Sequence, residues 1–233
     1  MNTTSTAALV AETKTIPIVF GAVADPIGSG FVQNFAAPGG NVTGFTNYDA
    51  AMGGKWLDML HQVAPGVRRA VMMSNPDVAP GGGNFFLPSF QAAAGALGIE
   101  PVVVGVRTLA EIDGAITAMG KVAGTGLVVG LDSYTFSNSR TVVDAVAREN
   151  VPAVYFDQRF VEQGGLISYE VDVDDIYRQA GRYAGLILNG ARPSDLPVQA
   201  PTKYVLSVNL TTARTQGIGI PPDVLVLADE VIQ

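Results

Sequence analysis

The chain has no cysteine and a single histidine, His61, among its 233 residues. Without cysteine there is no disulfide, no thiolate metal site and no thiol nucleophile. One imidazole cannot build a transition-metal centre, so neither a metal nor a cofactor is expected. Charge is also scarce. The 14 Lys and Arg are outnumbered by 21 Asp and Glu, for a net charge of −7, and Arg68-Arg69 is the only adjacent basic pair. A nucleic-acid partner needs concentrated Lys and Arg, so none is expected. Apolar runs long enough to cross a bilayer, about 18 residues, are absent, which argues against membrane insertion. The start, Met1–Ser5, has neither the basic region nor the apolar stretch of a secretory signal.

Familiar catalytic and phosphate-binding patterns are missing as well. Gly54-Lys55 and Gly120-Lys121 lack the upstream glycine and the following Ser or Thr of a phosphate loop. Gly21, Gly28 and Gly30 do not have dinucleotide-fingerprint spacing, and no Gly-x-Ser-x-Gly elbow exists for a serine hydrolase. His61 sits near the end of an amphipathic segment, where it reads as a solvent-facing or dipole-facing residue.

What the chain does have is apolar residues, 48% of the total, in short bursts. Strand-like runs fall at Ile16–Phe20, Val42–Phe45, Arg69–Met73, Pro101–Val106, Leu127–Leu131, Val151–Phe156, Leu166–Tyr169 and Tyr204–Val208. Amphipathic segments separate most of them. Ala50–Ala64 places Met52, Trp56, Met59, Leu60 and Val63 on one helical face, and Asp174–Asn189 does the same with Ile176, Ala180, Tyr183, Ala184 and Ile187. A helix-length segment follows Asp25-Pro26, and Asn2–Thr6 reads as the N-cap region of a helix over Ala7–Thr13. Wholly apolar short strands between amphipathic helices predict an α/β fold with parallel sheets flanked by helices. The strand census predicts two lobes: a complete one from 46–168 and 202–233, and an incomplete first lobe from 1–45 and 169–201.

In such folds ligands sit at the carboxyl ends of the strands. Asp25, Asn75, Asp132 and Tyr155 stand at or beside such ends, as do Phe156 and Asp157. Each also reads as an ordinary turn former, cap or core residue. Together they suit a small polar or zwitterionic solute. Thr4 and Ser5, in the N-cap region, could hold an anionic group.

Several segments together resemble one family. These are Thr15–Phe20, Asp25-Pro26, Pro38–Gly44, Gly164–Tyr169, Gly190–Val198, Pro201–Tyr204 and Ala228–Ile232, in that order and spacing. They resemble the ABC-transporter substrate-binding proteins of the tryptophan/tyrosine type, periplasmic-binding-protein-like with type I topology. The resemblance implies a two-lobe receptor that closes on a small solute, possibly an amino acid, and delivers it to the membrane permease of an ABC importer. It implies a periplasmic location and no catalysis. It places Thr4, Ser5 and Asp25 on the first-lobe wall, and Asn75, Asp132 and Tyr155 on the second. Family members carry an export signal and about three more strands ahead of the point where Asn2–Thr6 falls, so this chain reads as truncated. Two rivals remain: a ligand-sensing core related to transcription regulators, and an α/β enzyme using carboxylates such as Asp25 or Asp132 as a base.

Overall fold

The alternation of apolar bursts and amphipathic segments becomes an alternation of strands and helices in a computed structural model, which describes residues 3–233. In chain order the elements begin with α1 (Thr3–Glu12), β1 (Ile18–Val23), β2 (Val42–Thr46), α2 (Met52–Val63), β3 (Arg69–Ser74), α3 (Leu87–Leu97), β4 (Glu100–Gly105) and α4 (Leu109–Gly120). Next come β5 (Thr125–Val129), α5 (Ser133–Ser137), α6 (Ser139–Glu149), β6 (Ala153–Tyr155), α7 (Gln158–Glu162) and β7 (Ile167–Val171). The order closes with α8 (Val173–Leu188), β8 (Tyr204–Asn209), α9 (Leu210–Gln216), α10 (Pro222–Leu227) and β9 (Glu230–Ile232). The chain divides into two compact units, 1–49 with 171–204 and 50–170 with 205–233.

The first unit holds β1 and β2, a parallel pair in register from Ile18↔Val42 to Val23↔Thr46, with a shift after Phe20. Gly44 lies at φ +152, and a Cβ there would stand 2.1 Å from the Phe20 carbonyl oxygen, so only glycine lets the two strands approach this closely. Ile18, Phe20, Val23, Phe31, Val32, Val42 and Val198 form one core cluster, and Phe45, Val171, Ile176 and Tyr183 a second. The start of α8 is set by Asp172, whose carboxylate accepts from the Asp175 N–H at 2.8 Å, with Asp174 and Asp175 in the first turn facing the positive end of the dipole. Its buried face is narrower than the periodicity predicts: Ile176 and Tyr183 are buried, Ala180 and Ile187 half-buried, and Ala184 exposed.

Three expectations for this unit are corrected. Among the described residues the helix predicted over Ala7–Thr13 spans Thr3–Glu12, so Thr4 and Ser5 lie within it and not in a cap; Asn2 lies outside the described residues. The strand predicted at Ile16–Phe20 starts later and runs through Gly21 to Val23. The segment after Asp25-Pro26 is a series of turns with no helix, so among the described residues one helix precedes residue 46 where two were expected. Gly28 and Gly30 break any helical run, and Gly30 takes φ +70.

In the second unit seven strands form one sheet in the order β4-β3-β5-β6-β7-β8-β9. The β3–β4, β3–β5, β5–β6, β6–β7 and β8–β9 pairs are all parallel. Every residue of the central strand β5 is buried, while the edge strand β4 alternates between exposed and half-buried. Helix α2 buries Met52, Trp56, Leu57, Leu60 and Val63. It sits so close to α3 that a Cβ on Gly53 would stand 2.1 Å from the Phe86 carbonyl oxygen. The buried Trp56 edge meets the Phe86 ring at 5.0 Å, and its indole N–H donates to the Tyr169 carbonyl at 2.7 Å, so its one polar group is satisfied.

Candidate functional site

The carboxyl ends of the second unit's strands carry a connected polar cluster. After β5 the chain reaches Asp132, 2% exposed, which caps α5. Its Oδ1 accepts from the Thr135 N–H at 2.7 Å, and its Oδ2 accepts from the Thr135 hydroxyl at 2.8 Å and the Asn75 N–H at 3.0 Å. Asn75, at the end of β3, is itself buried, and its side-chain oxygen accepts from the Asp77 N–H at 2.9 Å. Asn75 and Asp132 are therefore brought together. Most of the Asp132 acceptor capacity goes to holding two strand ends in place.

Tyr155 occupies a different environment. It ends β6 fully buried, stacked on Phe160 with ring centroids 4.9 Å apart, and its hydroxyl has no hydrogen-bond partner. Burial pushes that hydroxyl well above the usual phenol range. The three remaining expected residues belong to the first unit. Thr4 and Ser5 are exposed on α1, and Asp25 is exposed in a turn whose Gly28 N–H donates to Asp25 Oδ1 at 2.8 Å.

Asp157, already named among the strand-end residues, and Glu170, which the sequence did not single out, stand at neighbouring strand ends. Asp157, just after β6, caps α7 by accepting from the Arg159 N–H at 2.9 Å. Glu170, near the end of β7, accepts from the Gln158 N–H at 3.0 Å. Burial pushes Glu170 up to about 8, and the carboxylates of Asp157, Glu230 and Glu162 add to the rise. Asp157 is raised too, mainly by burial, against the stabilising hydrogen bond from Arg159. The nearby guanidinium of Arg159 lies over the Phe136 ring at 5.0 Å. Phe136 and Phe156 have centroids 6.2 Å apart, and Phe156 meets Phe160 edge-on at 5.3 Å. A partly buried carboxyl pair in which Arg159 offsets only Asp157, next to an aromatic row, can accept an ammonium group. The signal in the sequence was faint: Glu170 is one acid in the apolar run from Leu166 to Val171.

Among the described residues no group of three or more His, Cys, Asp or Glu side chains could hold a metal ion, and no helix is long and apolar enough to cross a membrane.

Comparison with known proteins places this architecture. A curated tyrosine-binding protein of Clostridioides difficile (strain R20291) is 28% identical over 216 residues, 92% of this chain. The chain spans 61% of that relative's length. A solved structure of an ABC domain in complex with L-Trp from Streptococcus pneumonia superposes with a TM-score of 0.83 at 28% identity, covering 99% of this chain and 77% of that one. A conserved domain protein from Vibrio cholerae O1 biovar El Tor gives a TM-score of 0.82 at 29% identity, covering 99% and 76%. The α/β units with their mainly parallel sheets thus have the periplasmic-binding-protein-like fold of type I. The family model described as ABC transporter substrate binding protein matches residues 1–232, virtually the full chain that carries these strands and their polar carboxyl ends, and the chain belongs to that family.

Proposed function

We propose that the chain is the solute-binding component of an ABC importer and that its ligand is an aromatic amino acid. The observation that carries this reading is the half-buried Glu170 carboxyl, held by the Gln158 N–H at 3.0 Å and near Asp157 at the strand carboxyl ends. An amino acid's ammonium would supply the positive charge that Glu170 lacks, and the half-buried Phe136 offers a ring contact. Asn75, pinned by Asp132, adds a polar side chain on the same strand edge. Thr4 and Ser5 are the first unit's candidates for the carboxylate end of the ligand, and Asp25 is its candidate for the ammonium. The tyrosine-binding and L-Trp-bound relatives support this solute class. The reading includes no chemical step: the protein holds the solute unchanged outside the cytoplasm and passes it to a membrane permease.

Isothermal titration with L-tyrosine, L-tryptophan and their N-acetyl derivatives tests this. Saturable binding of the free amino acids, lost by at least tenfold on N-acetylation and on Glu170→Gln, is expected. Equal affinity for the N-acetyl forms would remove ammonium recognition by Glu170. No binding of either amino acid would remove the solute class.

A further inference from the structure

The opposite end of the second unit's sheet carries a depression of about 360 Å³. It lies at the amino ends of β3, β5 and β6, where Val67, Thr125 and Val151 contribute to its wall. Its size is within the range of small-molecule sites. The last turns of α2, α4 and α6, helices of eleven or twelve residues, converge on it through Ala64, Gly120 and Glu149. Each helix carboxyl end presents roughly half a negative charge, so three of them together favour a cation.

The polar side chains on this wall are left with acceptors. Gln216 donates its amide NH₂ to the Val151 carbonyl at 3.3 Å, which fixes the flip and leaves Oε1 buried without a partner. The Thr125 hydroxyl is likewise buried and unpartnered, in a residue 6% exposed. Glu149 Oε1 takes the Thr117 hydroxyl at 3.1 Å and the Arg148 guanidinium at 3.2 Å, and Arg148 also binds Asp113 at 2.7 Å. Within that trio two carboxylates face one guanidinium. Glu149 Oε2 lies 2.8 Å from where a Cβ on Gly120 would be, so the glycine leaves it bare on the cavity side. Val67, Met119 and Ile218 supply apolar wall.

We propose that this depression binds a small organic cation, an alkylammonium with an apolar body, at a site separate from the strand carboxyl ends. The ligand's N–H groups meet the leftover oxygens of Glu149, Gln216 and Thr125, its charge lies at the three helix carboxyl ends, and its alkyl chain lies on Val67, Met119 and Ile218. Gly66 offers a plug, because a Cβ there meets no atom within 4 Å and its φ suits any L residue.

Amide chemical-shift titration of the full chain with n-butylammonium, n-butanol and butyrate tests the site, with L-tyrosine present and absent. Saturable butylammonium shifts at Gly66, Gly120, Gly124 and Gln216 are expected, at least tenfold weaker for butanol and butyrate, and unchanged by tyrosine. Glu149→Gln should weaken binding at least tenfold and Gly66→Leu should abolish it. Each variant's melting curve confirms folding, and Gly66→Leu carries the test where Glu149→Gln does not fold. Absent saturation, equal affinity for butanol, preference for butyrate, or binding undiminished in a folded variant would overturn the proposal.

Discussion

The Asn75 backbone N–H donates to Asp132 Oδ2 at 3.0 Å, so a carboxylate that follows β5 fixes the turn that follows β3. The same carboxylate takes two bonds from Thr135. Asp132→Ala removes a helix cap and leaves the buried Asn75 and Thr135 donors unsatisfied, a loss of about 2–4 kcal/mol. Urea denaturation should show it as a lower midpoint with an unchanged slope. A loss below about 0.5 kcal/mol would mean that water replaces the carboxylate at no cost.

Glu170 should make stability depend on pH. Below 4.5, its ordinary value, the group is protonated in folded and unfolded chains alike. Between there and about 8 the unfolded chain gives up the proton while the folded chain keeps it, so stability falls as pH rises. Glu170→Gln removes that fall. Its melting temperature should exceed that of the unaltered chain at pH 8.5 and match it at pH 4.5. A gain at pH 4.5 equal to that at pH 8.5 would show that the effect is not titration of Glu170.

Amino-acid binding should also displace a proton. An ammonium beside Glu170 favours the ionised carboxyl, so binding near pH 7 should release a fraction of a proton. Calorimetry in buffers of different ionisation enthalpy reads this directly. Proton uptake in its place would contradict an ammonium at this carboxyl.

Tyr155 and Ser168 are register partners on β6 and β7, and both hydroxyls are buried without a partner. Removing an unsatisfied hydroxyl relieves its desolvation cost, about 1–3 kcal/mol at most. Tyr155→Phe and Ser168→Ala should therefore melt at or above the temperature of the unaltered chain. A clear drop in either melt would reveal a bond that these hydroxyls make in solution.

Two glycine substitutions should move in opposite directions. Gly53→Ala would drive a methyl group into the Phe86 carbonyl and push α2 away from α3, at a cost of about 2 kcal/mol or more. Gly185→Ala, inside α8 with nothing within 4 Å, should gain about 0.5–1 kcal/mol from helix propensity. Chemical denaturation of the pair checks both signs, and a stabilising Gly53→Ala would show that α2 and α3 can separate freely.

The parallel α/β architecture was legible because its strands are short apolar runs, and all eight predicted runs overlap observed strands. Boundaries slipped where side-chain character misleads. Ile16 is apolar yet exposed ahead of β1, and Gly21-Ala22 looks like a turn yet continues the strand. β9 was missed because Glu230–Ile232 is three residues long and mostly exposed, held by pairing with β8. Asn75 and Asp132 were legible as strand-end residues, and they meet because β3 and β5 are parallel neighbours whose ends share one edge of the sheet. Glu170 was not, because its burial depends on Asp157 and Gln158 meeting it across two strands, a non-local fact.

The second unit's sheet is interrupted in the chain: β3 to β7 precede the stretch 171–204, and β8 and β9 follow it. During synthesis β7 is finished well before its neighbour β8 exists. At roughly 5–20 residues per second, that stretch takes a few seconds to emerge. Through that interval β7, with Ile167 and Ser168 bound for the interior, presents a bare edge. Nascent chains of this protein should thus be most vulnerable to mispairing, and most in need of a chaperone, between the making of Val171 and that of Asn209.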